Sequence, residues 1–301
     1  MRVFDRAVVR VLPALPRQLV RRLSAPYIAG PSLEHARRTV AALNAQGKRA
    51  TIDVLGEEIV HREEAEAIAQ TYHDVLAALE VSRLDASISV KLTGLGLEID
   101  PDHCRLLLEK IVRDAASRRR FVRIDMEDSS TTDSTLAFYR ELCASGFDNV
   151  GIVLQAYLKR TLADIEALSD LRPSVRLCKG IYLEPEAITF HDPDAVRHSF
   201  VACLDALLAN RSRVAIATHD EWLLRESLAR VASLPRDAYE FQMLLGVREH
   251  RATQLVAAGH RVRIYVPFGR HWYEYSLRRL QENPRLAGML AKTTLRRLAR
   301  A

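Results

Sequence analysis

The chain has little cysteine: Cys104, Cys143, Cys178 and Cys203 in 301 residues. They form no CxxC and no framework spacing, which fits reduced thiols in a cytoplasmic protein. No apolar run reaches the roughly 18 residues that a membrane span needs. The first 22 residues are interrupted by Arg6 and Arg10 and lead to no clean cleavage region, so they do not read as a secretion signal. GxGxxG is absent; Thr93-Gly94-Leu95-Gly96 holds only a fragment of it, and a doubly wound dinucleotide fold loses its usual mark. Ten histidines contain neither HxH nor HExxH, so no metal is expected. There is no GxSxG, and no basic tract interleaved with aromatics, so nucleic acid is not an expected partner.

Hydrophobic residues make up 48% and charged residues 27%, the balance of a globular chain. The formal net charge of +6 favours anionic partners: carboxylate substrates, phosphates or an acidic membrane surface. Eight short β-rich runs stand out: 50–54, 87–92, 121–126, 149–154, 174–177, 214–217, 239–244 and 262–266. Segments with helical periodicity separate them: 63–79, 102–117, 133–144, 158–168, 193–209, 221–232 and 248–258. Strand and helix in strict alternation imply a parallel sheet, and eight units imply closure. The expected fold is α/β, a (β/α)8 TIM-type barrel with extra N-terminal helices and a final helix capping the C-terminal mouth. A single domain is expected over 1–301, with N-terminal helices over 1–48, the barrel over 49–284 and a C-terminal helix over 285–301. A helix over 33–46 would end at Gly47.

In such a barrel the active site lies at the C-terminal ends of the strands. Polar groups stand at those ends: Asp53 and Glu57, Lys91, Asp125 with Met126 and Glu127, Gln155 and Tyr157, then Arg176, Lys179 and Tyr182. Thr218, His219 and Asp220 follow, with Gln242 and Tyr265 on the last two strands. Each alone is compatible with a solvated rim. Together they would meet at one mouth, where burying charge is costly unless it is paired or bound. After the eighth strand, Tyr275, Arg278, Arg279 and Glu282 fall at i, i+3, i+4 and i+7 of a helix, one continuous stripe. Two guanidiniums side by side can clamp a carboxylate bidentately. An exposed helix with an i,i+4 ion pair explains the same spacing, and the residues alone name neither reaction nor cofactor.

Seven segments in order resemble the proline dehydrogenase family: SISVKLT at 87–93, VRIDMED at 122–128, GIVLQAYLKR at 151–160, VRLCKGIYLEP at 175–185, IATHD at 216–220, YEFQMLLGV at 239–247 and RIYVPFGRHWYEYSLRRLQENP at 263–284. The resemblance covers about residues 51–284. It implies FAD at the barrel mouth, oxidation of L-proline to Δ1-pyrroline-5-carboxylate, and electrons passed to a membrane quinone. Carried over by position, Arg278 and Arg279 resemble the pair that grips the proline carboxylate, joined by Lys91. Leu244, Tyr265 and Tyr275 resemble the walls around the ring, and Arg176 an arginine near the flavin's reactive nitrogen. Asp125 matches an aspartate treated as catalytic. Met126, Gln155, Lys179, Gly180, Ile181, Thr218 and His219 fall where the family holds the flavin. Glu57 resembles a glutamate that pairs with the first arginine and, with Glu282, closes the site as a gate.

One residue departs from the family pattern: isoleucine stands at 181 where alanine is usual, adding three carbons beside flavin and substrate. That bears on substrate choice. Retention of Tyr275 favours proline over hydroxyproline. No aldehyde dehydrogenase or DNA-binding region lies within the 301 residues, so the monofunctional type is expected. Two rival readings are a Schiff-base aldolase barrel, with Lys91 or Lys179 as nucleophile, and a paralogue that oxidises another cyclic amino acid or binds without turnover. Arg2, Arg6 and Arg10 at i, i+4 and i+8, with Arg296, Arg297 and Arg300, raise the expectation of a peripheral contact at the inner face of the membrane; ordinary solvated ends explain the same residues.

Overall fold

The computed structural model describes residues 25–56, 59–269, 272, 273 and 276. Eight parallel strands close into a barrel in sequence order. They are β1 (Arg49–Val54), β2 (Ala86–Val90), β3 (Val122–Ile124), β4 (Val150–Gln155), β5 (Ser174–Cys178), β6 (Arg213–Ala217), β7 (Tyr239–Leu244) and β8 (Val262–Phe268). Closure is made by β8 against β1, with Thr51 beside Tyr265 and Asp53 beside Pro267. Helix α1 (Leu33–Ala45) precedes the barrel. The crossover helices are α2 (Arg62–Val81), α3 (Pro101–Ser117), α4 (Thr132–Ala144), α5 (Thr161–Ala167), α6 (Pro193–Ala209), α7 (Glu221–Arg230) and α8 (Glu249–Ala257). The fold expected from alternation is the fold observed; the capping helix after β8 and the helical stretch before Ala25 lie outside the described residues.

Local chemistry explains where the helices begin. Asp100 and Asp192 accept from the backbone N–H of His103 (3.0 Å) and Ala195 (2.8 Å), and each is followed by proline at the first helical position. Asp220 caps α7 by accepting from Trp222 N at 3.0 Å. The helix expected over 158–168 is shorter, because Leu158 N bonds Gln155 O in a turn and Leu158 bridges to Thr189. β3 is also shorter than 121–126, although Asp125 N still reaches Val90 O at 2.8 Å.

The strand alternation separates two worlds. Ile52, Ile88, Ile124, Ile152, Leu177 and Phe241 face the helices and are fully buried in one apolar core. Their neighbours point into the barrel and are polar: Asp53, Ser89, Arg123, Asp125, Arg176 and Gln242 are also buried. Barrel interiors are usually packed with branched apolar side chains. Here the inside is a hydrogen-bonded column of charge, and it runs up to the mouth.

Candidate active site

A cavity of about 210 Å³ opens at the C-terminal ends of the strands. Its floor is made by four charged or polar groups from different strands. Asp125, just past β3, accepts at Oδ1 from Ser89 Oγ (2.6 Å) and from Arg176 Nη1 (2.6 Å), and at Oδ2 from Tyr265 Oη (2.8 Å). Lys91, just past β2, donates to Asp53 Oδ1 (2.7 Å) and Tyr265 Oη (3.1 Å), and stands 3.8 Å from Asp125 Oδ2. Arg176 sends Nε to Gln242 Oε1 at 2.5 Å and lays its guanidinium 5.3 Å from the Tyr265 ring centre. Two cations and two carboxylates are therefore buried together with complementary bonds, the condition under which such charges are tolerated inside a protein.

Tyr265 is the hinge of this set. Burial, with the negative charges of Asp125 and Asp53, pushes its phenol well above the ordinary value of 10. It stays protonated, donating to Asp125 and accepting from Lys91. Beneath it, Gln242 Nε2 donates to Glu240 Oε1 at 2.5 Å, so the Gln242 amide is held with its carbonyl towards Arg176. Burial alone would raise Glu240; the charge and hydrogen bond of Arg263, 2.8 Å away, and the bond from Gln242 outweigh it and lower the carboxyl to about 2.

Apolar residues wall the cavity above this floor, among them Met126, Val153, Ile181 and Leu244. His219 also lines it. Its Nε2 accepts from Leu244 N at 3.0 Å, which puts a proton on Nδ1 in the neutral ring. Gln155 lies just beneath Met126: its Nε2 donates to Met126 O (3.0 Å) and Glu127 O (2.8 Å), while its buried Oε1 has no hydrogen-bond partner among the described residues. The Thr218 hydroxyl accepts from Asp220 N at 3.1 Å. Lys179, half exposed, donates to Asp220 at 3.4 Å. Burial alone would raise Asp220; Arg197 and Lys179 reverse that and hold it below the usual carboxylate range. Gly180 has φ of +100°, and a Cβ there would run into the Tyr157 ring. Only glycine lets the chain pass over that tyrosine.

Of the residues expected from the sequence, Lys91, Asp125, Met126, Arg176, Ile181, His219, Leu244 and Tyr265 line one cavity. Gln155, Lys179, Gly180 and Thr218 do not line it; they support or flank its wall. Glu57, Tyr275, Arg278, Arg279 and Glu282 lie outside the described residues. Ser89 and Glu240 were not singled out from the sequence. The alternation Ser87, Ser89, Lys91 is the signal for the first, since it puts Ser89 on the inward face that carries Lys91.

A family model described as proline dehydrogenase matches residues 36–292. The chain is 37% identical over 273 residues to proline dehydrogenase 1 of Bacillus subtilis subsp. natto, covering 90% of each chain. It is 35% identical over 288 residues to proline dehydrogenase of Deinococcus radiodurans, covering 94% of this chain and 93% of the other. Among solved structures it is similar to proline utilization A of Bdellovibrio bacteriovorus inactivated by N-propargylglycine, with a TM-score of 0.84 and 25% identity. That match covers 93% of this chain and 36% of the other, so this chain spans about a third of that protein.

Proposed function

We propose that this chain, which belongs to the proline dehydrogenase family, oxidises L-proline to Δ1-pyrroline-5-carboxylate with FAD as cofactor. The observation that carries the reading is the charged floor of Lys91, Asp125, Arg176 and Tyr265 under an apolar-walled cavity. It suits a small substrate with one charged end and an apolar ring. A bound flavin would supply the acceptor for hydride from the substrate's ring carbon, the ring nitrogen giving its proton to solvent, with the electrons going on to a membrane quinone.

The residues fit such a cofactor. The Gln155 Oε1 is a buried acceptor awaiting a donor, and the imide N–H of a flavin ring is a donor of the right kind. Met126, Ile181 and His219 would pack around the ring system; Lys179, Gly180 and Thr218 would hold the adjoining backbone and phosphates. Arg176 is the cation nearest the cavity floor that could stabilise negative charge left on a reduced ring.

Lys91 would meet the substrate carboxylate, completed by Arg278 and Arg279, while Leu244, Tyr265 and Tyr275 would enclose the ring and Glu57 with Glu282 would close over it. Asp125 already accepts three hydrogen bonds. Both of its oxygens are thereby occupied, so its part is to aim Arg176 and Tyr265 rather than to take the substrate's proton. The Lys91 amine is spent on hydrogen bonds to Asp53 (2.7 Å) and Tyr265 (3.1 Å), which counts against a free Schiff-base nucleophile. The acceptor reading places the protein in the cytoplasm, in peripheral contact with the inner face of the membrane where the quinone is. Among the described residues no helix is long and apolar enough to cross a membrane.

The test is the visible spectrum of purified protein under anaerobic conditions, before and after L-proline. A flavin spectrum that bleaches is expected. A protein that takes up no flavin even when FAD is supplied would overturn the cofactor, and one that stays oxidised with proline would overturn the substrate.

A further inference from the structure

The eight turns that lead from a helix into the next strand all lie at the base of the barrel, opposite the mouth. From the residue after each helix to the first residue of each strand they carry eleven Lys/Arg and four Asp/Glu, net +7, where the whole chain is +6. The loops that follow β2 to β7 at the mouth carry five Lys/Arg and nine Asp/Glu, net −4. Among these described loops the positive charge is thus gathered at the base.

The backbone marks the same choice. Gly47, Gly146 and Gly259 take the left-handed position in three of the basal turns; in four others it is taken by Arg83, Arg119, Arg172 and Arg211, with φ from 45° to 54°. Arginine has a Cβ to accommodate there and glycine does not. Helix C-termini attract cations, and that accounts for this outer ring. It does not account for the arginines inside it.

Within the ring the base opens into a cavity of about 330 Å³, room for roughly ten waters at about 30 Å³ each. Five guanidiniums line it, of which Arg176 is paired with Asp125 and Arg263 with Glu240. Arg123, Arg213 and Arg261 have no carboxylate partner among the described residues. Arg123 is buried and bonds Ile152 O and the Ser174 backbone and hydroxyl; Arg261 reaches only the Asp237 backbone, at 3.4 Å. Asp237 stands exposed at the rim, and Glu240 is spent on Arg263 and Gln242. Burial, and then the charge of Arg176, depresses the Arg123 guanidinium to about 9, with Glu240 opposing.

We propose that this basal cavity binds a phosphate-type anion, received by the Arg213 and Arg261 guanidiniums at the rim and drawn inward by Arg123. Guanidinium forks match phosphate oxygens, and three unpaired cations favour a multivalent anion over a single carboxylate. The site opens at the other end of the barrel from the mouth, on the far side of Arg176 and Gln242, which line both cavities.

The probe is inorganic pyrophosphate, titrated calorimetrically into the full-length protein at low salt, in parallel with sedimentation on vesicles of phosphatidylcholine with and without phosphatidic acid. The comparison is the double substitution Arg213→Gln with Arg261→Gln, and the control is Arg213→Lys with Arg261→Lys, which keeps the charge. Saturable 1:1 binding of pyrophosphate, weakened at least tenfold by the Gln pair and less by the Lys pair, supports a soluble phosphate as the occupant. Sedimentation with phosphatidic acid that the Gln pair abolishes, without pyrophosphate binding, supports a lipid headgroup. Neither kind of binding, or binding that survives the Gln pair, overturns the proposal. Unchanged turnover and thermal midpoint of the Gln pair guard against misfolding as the cause.

Discussion

Arg176 Nη1 lies 2.6 Å from Asp125 Oδ1, with both side chains about nine-tenths buried, and the two residues are 51 positions apart in the chain. The same guanidinium bonds Gln242 through Nε, so one side chain ties β3, β5 and β7 together at the cavity floor. Lysine carries its donors on one nitrogen and cannot reproduce the fork that meets Asp125 through Nη1 and Gln242 through Nε. Arg176→Lys is expected to lower turnover about 100-fold, the size of losing one well-placed donor. Stopped-flow reduction by L-proline would measure it; a loss below threefold would remove Arg176 from the reaction.

Asp125→Asn keeps the shape and removes the charge that three donors share. Breaking a buried pair on one side costs roughly 3–5 kcal/mol. The variant should therefore lose stability as well as activity, and urea unfolding would register the first independently of any cofactor. Full stability with full activity would show that the Asp125 charge matters to neither.

The Glu240 carboxyl, held at about 2 in the folded protein, gives a pH prediction with a definite sign. Its folded value is depressed below that of the unfolded chain, near 4.5. The stability it contributes is present above about pH 4.5 and is lost as the pH falls towards 2. A shift of this size corresponds to about 3 kcal/mol. Glu240→Gln should be less stable at neutral pH and show a flatter decline below pH 4.5. Unfolding free energies taken from pH 6 to pH 3 would decide it; parallel curves for the two proteins would contradict the assignment.

Gly180→Ala would drive a methyl group into the Tyr157 ring from a left-handed backbone. Strain of this kind costs on the order of 1–3 kcal/mol. The segment carrying Lys179, Ile181 and Tyr182 would have to move, so weaker flavin retention is expected together with a lower melting temperature. Equilibrium dialysis against FAD reads the first effect. Flavin affinity equal to that of the unsubstituted protein would mean that this turn does not hold the cofactor.

Ile181→Ala removes three carbons from the cavity wall. The expected result is a gain for bulkier cyclic substrates relative to proline, within the roughly 10–200-fold that one apolar contact can supply. Turnover on L-proline, trans-4-hydroxyproline and pipecolate would show it, and an unchanged order would take Ile181 out of substrate selection.

The barrel itself was legible in the residues. Eight β-rich runs between helical periods leave few alternatives, because strand and helix repeats are local properties of the chain. Most of the polar side chains at the floor were legible too, since a charge at the end of an apolar strand has nowhere else to point. Their pairing was not. Nothing near Asp125 in sequence announces Arg176, Ser89 or Tyr265, and Lys91 finds Asp53 only because β1 and β2 lie side by side. The alternation with Lys91 marks Ser89 as inward-facing, but its bond to Asp125, like that of Glu240 to Arg263, exists only once the barrel is closed. The net charge of +6 is in the composition, but the contrast between basic basal turns and acidic mouth loops among the described residues shows only once strands and helices are bounded. The sequence by itself determined which elements form and which face of each strand is polar; closure of the barrel decided which of those polar groups meet, because hydrogen bonds and ion pairs act over a few ångströms and only the tertiary fold sets those distances.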